Sequence, residues 1–436
     1  MKKTRERICY NALMSVYRDG AYSSRALSDA LKEDRNGFEF VTRLFYGVLE
    51  KDVTLAYIIG RLVDKRPKLS VSVILKMGIY MSRFMSVPDY AAVDECVKLA
   101  KALGKGGVSD FVNAVLRKAK DIKFPVKGET SDVDYISTNY GLPEWLAEKL
   151  ISQYGADFTE NMMKTEEFRT HIRLRKGVDI AEFEKNISEL QNLPQSKTRF
   201  GYYVTHKTLN FLQKQRGLRQ GDFAVQSLAS IIAARCYCDG LTSDSKVLDL
   251  CAAPGGKSVY IAETVGCGIC ACDIHPHRLE LIRSYAERMK VNVNTKLNDA
   301  CVECKEWLDY FDCVICDVPC SGTGDLRSKP DILLKKSGEK VLELSKLQSK
   351  ILHRASSYVR SGGRLCYSTC SVLREENEDV VKSFLEHNAD FVLEDSSRFA
   401  DDLCKVSADL GLNGCLKLFP HTHNTDGFFV AVMKRV

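Results

Sequence analysis

From Lys246 onward the chain alternates short apolar runs with segments of helical length. The runs are Val247-Leu248-Asp249-Leu250, Ile269-Cys270-Ala271-Cys272, Val314-Ile315-Cys316 and Leu365-Cys366-Tyr367. Runs this short and continuous suit strands buried on both faces, and the spacers are long enough for crossover helices, which parallel pairing requires. The pattern predicts a doubly wound α/β domain. Such a sheet binds its ligand at the carboxyl ends of the strands, so the residues that follow each run are the first to inspect for chemistry.

The rest of the chain reads differently. With 436 residues there is length for two or three cores. Residues 1–120 show helical spacing, as in Phe40, Val41, Leu44, Phe45, Val48 and Leu49. The stretch Asp121 to Asp132, with Pro125, Gly128 and Thr130, reads as a linker, and Leu142-Pro143-Glu144-Trp145 opens the next region. The expected organisation is multidomain: an all-α domain over 1–130, a small α+β middle domain over 131–220, and a Rossmann-like α/β domain over 221–436.

Charge is uneven along these parts. Residues 1–130 hold 24 Lys/Arg against 15 Asp/Glu, residues 131–220 hold 13 against 12, and the remainder holds 26 against 30. A basic helical domain attracts a polyanion through phosphate neutralisation and counterion release, although a solvated helical surface gives the same count. No apolar run approaches the roughly 20 residues of a membrane helix, and the basic start lacks the apolar core of a signal peptide. The 17 cysteines, fifteen of them from Cys236 onward, follow no disulfide-scaffold spacing. They suit thiols kept reduced, hence a cytoplasmic protein, and they concentrate attention on the C-terminal half.

The first strand runs into Cys251-Ala252-Ala253-Pro254-Gly255-Gly256-Lys257. Small residues and two glycines at a strand-to-helix turn let the backbone approach a ligand closely. Asp273 closes the second strand, 24 residues beyond Asp249, near the ~20 expected of a carboxylate that grips ribose hydroxyls. The turn lacks both G-x-G-x-x-G and G-x-x-x-x-G-K-[ST], which turns the reading from NAD and ATP toward S-adenosylmethionine. Asp299, after the run Val293 to Leu297, is placed to accept from an adenine amino group or to cap a helix.

Two more strand ends carry cysteines: Asp317-Val318-Pro319-Cys320-Ser321-Gly322-Thr323-Gly324 and Ser368-Thr369-Cys370-Ser371. Carbon 5 of cytosine is too weak a nucleophile to take a methyl group unaided, so a thiolate must first add to carbon 6. Asp317 can bond ring nitrogen 3 and the exocyclic amine as that adduct forms. A second thiol suits the later loss of the carbon 5 proton and expulsion of the first. From the residues alone, both cysteines read equally as small buried groups, and Asp317 as a helix cap. Cys301-x-x-Cys304 and Cys313-x-x-Cys316 have zinc-like spacing, but residues three apart in one strand face opposite sides, so no metal site is expected.

These motifs together resemble the Nol1/Nop2/Sun RNA cytosine methyltransferases. Gly221-Asp222-Phe223-Ala224-Val225-Gln226-Ser227 and Asp426-Gly427-Phe428-Phe429-Val430-Ala431 extend the resemblance to about half the chain, and Asp34-Arg35 with Phe40 to Leu49 resembles the NusB-type helical RNA-binding domain. The resemblance implies a class I methyltransferase fold behind a NusB-like domain. It makes Cys370 of the Thr-Cys-Ser motif the nucleophile and Cys320 the residue that assists product release, the reverse of the wiring in DNA cytosine methyltransferases. It also implies that Cys251, Ala252, Ala253, Pro254, Gly255, Gly256, Lys257, Asp273, Asp299 and Asp317 line the S-adenosylmethionine site, with Asp317 also near the base. Val318, Ser227 and Lys329 depart from the family's usual Asp-Ala-Pro-Cys, Val-Gln-Asp and His-Pro-Asp-Ile; none of them removes a reacting group.

The implied substrate is small-subunit (16S) ribosomal RNA, free or early in assembly, acted on by a monomer without DNA or membrane partners. A target atom inside a stacked helix is out of reach, so the cytosine should lie in a loop or be flipped out. The rivals are the same chemistry on transfer RNA and a noncatalytic assembly factor on a retained fold.

Overall fold

The computed structural model describes residues 4–32, 38–164, 170–188, 196–214, 221–326, 329–396, 399 and 413–436. Asp34 and Arg35 lie outside them. The chain forms two compact units, one of residues 1–164 with 326–338, the other of residues 165–325 with 339–436.

The first unit is helical. Its opening helix, Arg5–Asp19, starts where Thr4 Oγ1 accepts the Arg7 N–H at 3.3 Å and stops at Gly20, whose φ of 68° is cheap only for glycine. Phe38–Glu50 buries Val41, Leu44, Phe45, Val48 and Leu49, the face expected from their spacing. After an irregular stretch across the expected linker, Ser131 caps Asp132–Tyr140 and Pro143 precedes Glu144–Tyr154. The segment that joins this unit from beyond residue 325 is tied in by Asp331, whose Oδ1 accepts from Ser23 Oγ at 2.6 Å, and by Lys335, which donates to the Ala21 carbonyl at 3.0 Å.

Among its described residues, the second unit holds two sheets. In the smaller, β1 (Thr170–Leu174), β2 (Ser196–Thr198), β3 (Gly201–Val204) and β4 (Phe223–Val225) are ordered β2-β3-β1-β4, with every pairing antiparallel. The larger is built from β5 (Val247–Asp249), β6 (Ile269–Asp273), β7 (Val293–Leu297), β8 (Phe311–Asp317) and β9 (Val359–Thr369), joined in the order β9-β8-β5-β6-β7 by parallel pairs. Each expected strand is present. The direction of winding reverses at β5, between β6 and β8, and the crevice there is where such sheets bind ligands.

Along β8 the residues alternate between faces. Cys313 and Ile315 join one apolar cluster, with Ile232, Ile261 and Ile282; Val314 and Cys316 join the other, with Leu352, Tyr358 and Phe429. Cys313 and Cys316 therefore point to opposite sides, as period-two geometry demands.

The sheet is completed by antiparallel pairing. β12 (Phe428–Arg435) runs beside β9 with Phe429 opposite Thr369 and Lys434 opposite Arg364, and it also pairs β10 (Phe391–Glu394) and β11 (Leu416–Leu418). β9 is longer than its apolar run because Arg360, Ser361 and Gly362 extend it on the exposed side. Among the described residues, no helix is long and apolar enough to cross a membrane.

Candidate active site

The turn after β5 is held from several sides. Leu250 N–H donates to the Ile315 carbonyl at 3.0 Å, Ala252 N–H to Cys272 at 2.8 Å, and Gly255 N–H back to Ala252 at 2.7 Å. Gly255 has φ of 103°, and a Cβ there would press on Ile282 at 3.3 Å. Glycine is thus demanded both by its backbone conformation and by the helix packed behind it. Gly256 starts the next helix, Gly256–Val265, and its carbonyl accepts from Gln226 Nε2 at 3.1 Å.

Two carboxylates flank this turn from below and beside. Asp249, 1 % exposed, accepts from Ser258 Oγ at 2.6 Å through Oδ2, while its Oδ1 is buried without a partner. Burial pushes its pKa up to about 7. An orphaned acceptor beneath a glycine turn suits a ligand that brings a donor, and a cationic aminoacyl group would also relieve the buried charge. Asp273, buried at the end of β6, accepts the His275 N–H at 2.9 Å and keeps its second oxygen 3.8 Å from the Arg278 guanidinium.

Asp299 stands on the next loop, brought beside Asp273 by the Asn298 N–H to Asp273 carbonyl bond of 3.2 Å. Its side chain is exposed and accepts the Cys301 N–H at 2.8 Å, a local turn bond rather than the cap of a long helix. Cys251 to Lys257, Asp273 and Asp299 therefore share the carboxyl-end edge formed by β5, β6 and β7.

Asp317 closes β8 opposite Ser368 of β9. Its two oxygens are occupied by Ser368 Oγ at 2.7 Å and Lys257 Nζ at 2.6 Å. Lys257 comes from the ligand turn and is itself 4.9 Å from the Phe428 ring, so one cation joins the turn to the loop after β8. Three residues onward, Cys320 Sγ lies 3.0 Å from Cys370 Sγ. Hydrogen bonding to Cys370, then burial, then electrostatic repulsion by Cys370 and last the nearby Glu376 charge, push the Cys320 thiol well above its ordinary range. The loops are joined by backbone as well: Val318 N–H donates to Ser368 at 3.1 Å and Gly324 N–H to Cys370 at 2.9 Å.

A polar network behind the thiols was not legible in sequence. Glu376, fully buried, accepts the Ser321 N–H at 2.7 Å and Gln348 Nε2 at 3.1 Å on one oxygen, and Ser321 Oγ on the other. Gln348 also donates to the Pro319 carbonyl at 2.9 Å. Thr323 and Ser371 hydroxyls meet at 2.9 Å, and Asn377 donates to the Ser371 carbonyl at 2.9 Å. In sequence, Arg374-Glu375-Glu376-Asn377-Glu378 reads as an exposed charged helix start; in the fold its middle residue is buried and bonded to Ser321 of the Cys320 loop and to Gln348 of the helix Gly338–Ser356. Gln226, from the Val-Gln-Ser stretch, bridges Arg173 at 2.7 Å and Gly256 at 3.1 Å, joining the small sheet to the ligand turn.

Comparison with known proteins agrees with this geometry. Residues 240–434 match the family model for 16S rRNA methyltransferase RsmB/F, and residues 3–121 match the NusB family. The chain is 29 % identical to the probable ribosomal RNA small subunit methyltransferase B of Bacillus subtilis over the whole of both chains. It is 30 % identical to ribosomal RNA small subunit methyltransferase B of Xylella fastidiosa over 82 % of each. Among solved structures, PH0851 superposes with a TM-score of 0.79 at 23 % identity over all of both chains. NSun6 from Pyrococcus horikoshii, solved with SFG, gives 0.57 at 21 % identity over 67 % of this chain and 98 % of that one.

Proposed function

The chain belongs to the ribosomal RNA small subunit methyltransferase B family, and from that premise we propose that it methylates carbon 5 of a cytosine in 16S ribosomal RNA, through a covalent cysteine adduct. S-adenosylmethionine is the methyl donor, and when bound it supplies an electrophilic methyl group. The observation that carries the cytosine chemistry is the pair of thiols, Cys320 and Cys370, 3.0 Å apart and next in space to Asp317. A methyltransferase acting on a nitrogen or a hydroxyl has no use for paired thiols at its strand ends; carbon 5 of a pyrimidine requires one and benefits from a second.

In this reading the Cys370 thiolate adds to carbon 6 as nitrogen 3 takes up a proton from solvent, and Asp317 accepts from that N–H and from the exocyclic amine, so that electron density passes to carbon 5. Carbon 5 then takes the methyl group. Loss of its proton re-forms the double bond and expels Cys370, with Cys320 at hand to assist. Asp273 and Asp299 grip the nucleoside part of the donor, and the small residues Cys251 to Gly256 admit its aminoacyl part beside Asp249. Lys257 orients Asp317. The helical residues 1–130 and the middle residues 131–220 hold the RNA, and residues 221–436 perform the transfer. The basic surplus of residues 1–130 supports that division.

The deciding experiment is transfer of a labelled methyl group to modification-free 16S ribosomal RNA, with bisulfite mapping of the product. Label on one cytosine, abolished by Cys370→Ala and replaced by a denaturant-stable protein–RNA adduct in Cys320→Ala, is the expected result. Label on transfer RNA alone would overturn the substrate, and full-rate transfer by Cys370→Ala would overturn the mechanism.

A further inference from the structure

Two thiols 3.0 Å apart cannot both ionise, so something must decide which of them carries the charge. We propose that Glu376 is a positioning residue that keeps Cys320 as the protonated partner, so that the thiolate of the pair resides on Cys370. The proposal rests on the reading of Cys370 as nucleophile and adds what selects it.

The geometry of Glu376 supports this in three ways. First, the carboxyl group is fully buried and receives three donors, the Ser321 N–H, the Ser321 hydroxyl and the Gln348 amide, the set that an ionised carboxylate accepts. All three are neutral, so they hold the charge without cancelling it. Second, the contact is asymmetric between the thiols. Both oxygens of Glu376 bond Ser321, the residue directly after Cys320, whereas the Cys370 loop is tied instead through hydroxyls and amides: Thr323 to Ser371 at 2.9 Å and Asn377 to the Ser371 carbonyl at 2.9 Å. A negative charge in low dielectric beside Cys320 disfavours a second one there.

Third, Asp317 and Glu378 are each paired with a cation. Asp317 takes Lys257 at 2.6 Å, and Glu378 takes Lys417 at 2.7 Å. The Tyr367 hydroxyl is neutral, and burial pushes its pKa well up. Among the described residues, the oxygens of Glu376 are bonded by Ser321 and Gln348 and by no such cation. The Cys320 S–H then points its proton at the Cys370 sulfur, which stabilises that thiolate.

The test is single-hit iodoacetamide alkylation of the full-length protein across pH 6.5 to 9, with the modified cysteine identified by mass spectrometry. It needs no RNA, so its failure is separate from failure of the methyltransferase reading, which the transfer assay reports. Wild-type protein should alkylate at Cys370 at least tenfold faster than at Cys320. Glu376→Gln keeps the size and most bonds but removes the charge, and should cut that preference at least threefold. Ser321→Ala removes a bond and leaves the charge, and should preserve it. An unchanged ratio in folded Glu376→Gln, or a loss in Ser321→Ala equal to that in Glu376→Gln, would overturn the proposal. Should Glu376→Gln not fold, Glu376→Asp, which keeps the charge, should retain the wild-type preference, and faster alkylation of Cys320 in either protein would overturn the proposal.

Discussion

Gly324 and Gly427 meet backbone to backbone: the Gly427 N–H donates to the Gly324 carbonyl at 2.9 Å, and a Cβ on Gly427 would lie 2.7 Å from the Gly324 Cα and 2.6 Å from Val372 Cγ1. Gly324 in turn donates to the Cys370 carbonyl at 2.9 Å. The chain after Cys320, the chain after Cys370 and the start of β12 are thereby clamped at one point, which only two glycines allow.

Gly427→Ala is therefore expected to destabilise the protein by about 1–3 kcal/mol, the usual cost of forcing a methyl group into filled space. The same shift should move the thiols apart. Urea unfolding measures the first effect and methyl transfer the second; a variant as stable and active as wild type would mean that the clamp yields easily.

Asp317 is held between Ser368 and Lys257. Asp317→Asn keeps one acceptor but loses the charge that the bonded cytosine needs, and about a hundredfold loss in transfer rate is expected, the ordinary scale for a proton-handling group. Lys257→Met leaves Asp317 unpaired and should also slow transfer. Single-turnover kinetics at saturating RNA separates both effects from binding.

Arg173 is 3 % exposed and bonds Glu263 at 2.6 Å and Gln226 at 2.7 Å. Arg173→Met should cost about 3–5 kcal/mol, because it strands the Glu263 carboxylate in the interior. Glu263→Gln added to Arg173→Met should recover part of that loss, since the stranded charge is then gone. Denaturant unfolding of the two single variants and the double variant tests this coupling.

His171, on β1, is held within the small sheet, its Nδ1 2.9 Å from the carbonyl of Gln226, just after β4, and its Nε2 3.0 Å from Thr198 Oγ1 of β2. Burial lowers its pKa from 6.5 to about 4. The folded state then binds fewer protons than the unfolded one between these values, so stability from this group is full above pH 6.5 and is lost as pH falls toward 4. The loss amounts to roughly 3 kcal/mol at the lower end. Thermal unfolding from pH 7.5 to 4 should show a steeper decline for wild type than for His171→Gln.

What was readable in the sequence were the features carried by local pattern. Short apolar runs define β5, β6, β8 and β9 because a strand buried on both faces must be apolar throughout, and the loops after them must hold the ligand groups because a parallel sheet gathers all its carboxyl ends on one edge. Helical spacing, as in Val41, Leu44, Phe45, Val48 and Leu49, set out the N-terminal helices in the same way. Tertiary structure alone decided the rest. That Lys257 of the ligand turn would be bonded to Asp317, that Glu376 would be buried behind Cys320 rather than exposed on a charged helix start, and that two glycines 103 residues apart would touch all depend on how distant segments pack. Sequence periodicity records which side of an element faces inward. It carries no information about which partner waits there, because burial is a property of one residue whereas a contact belongs to two.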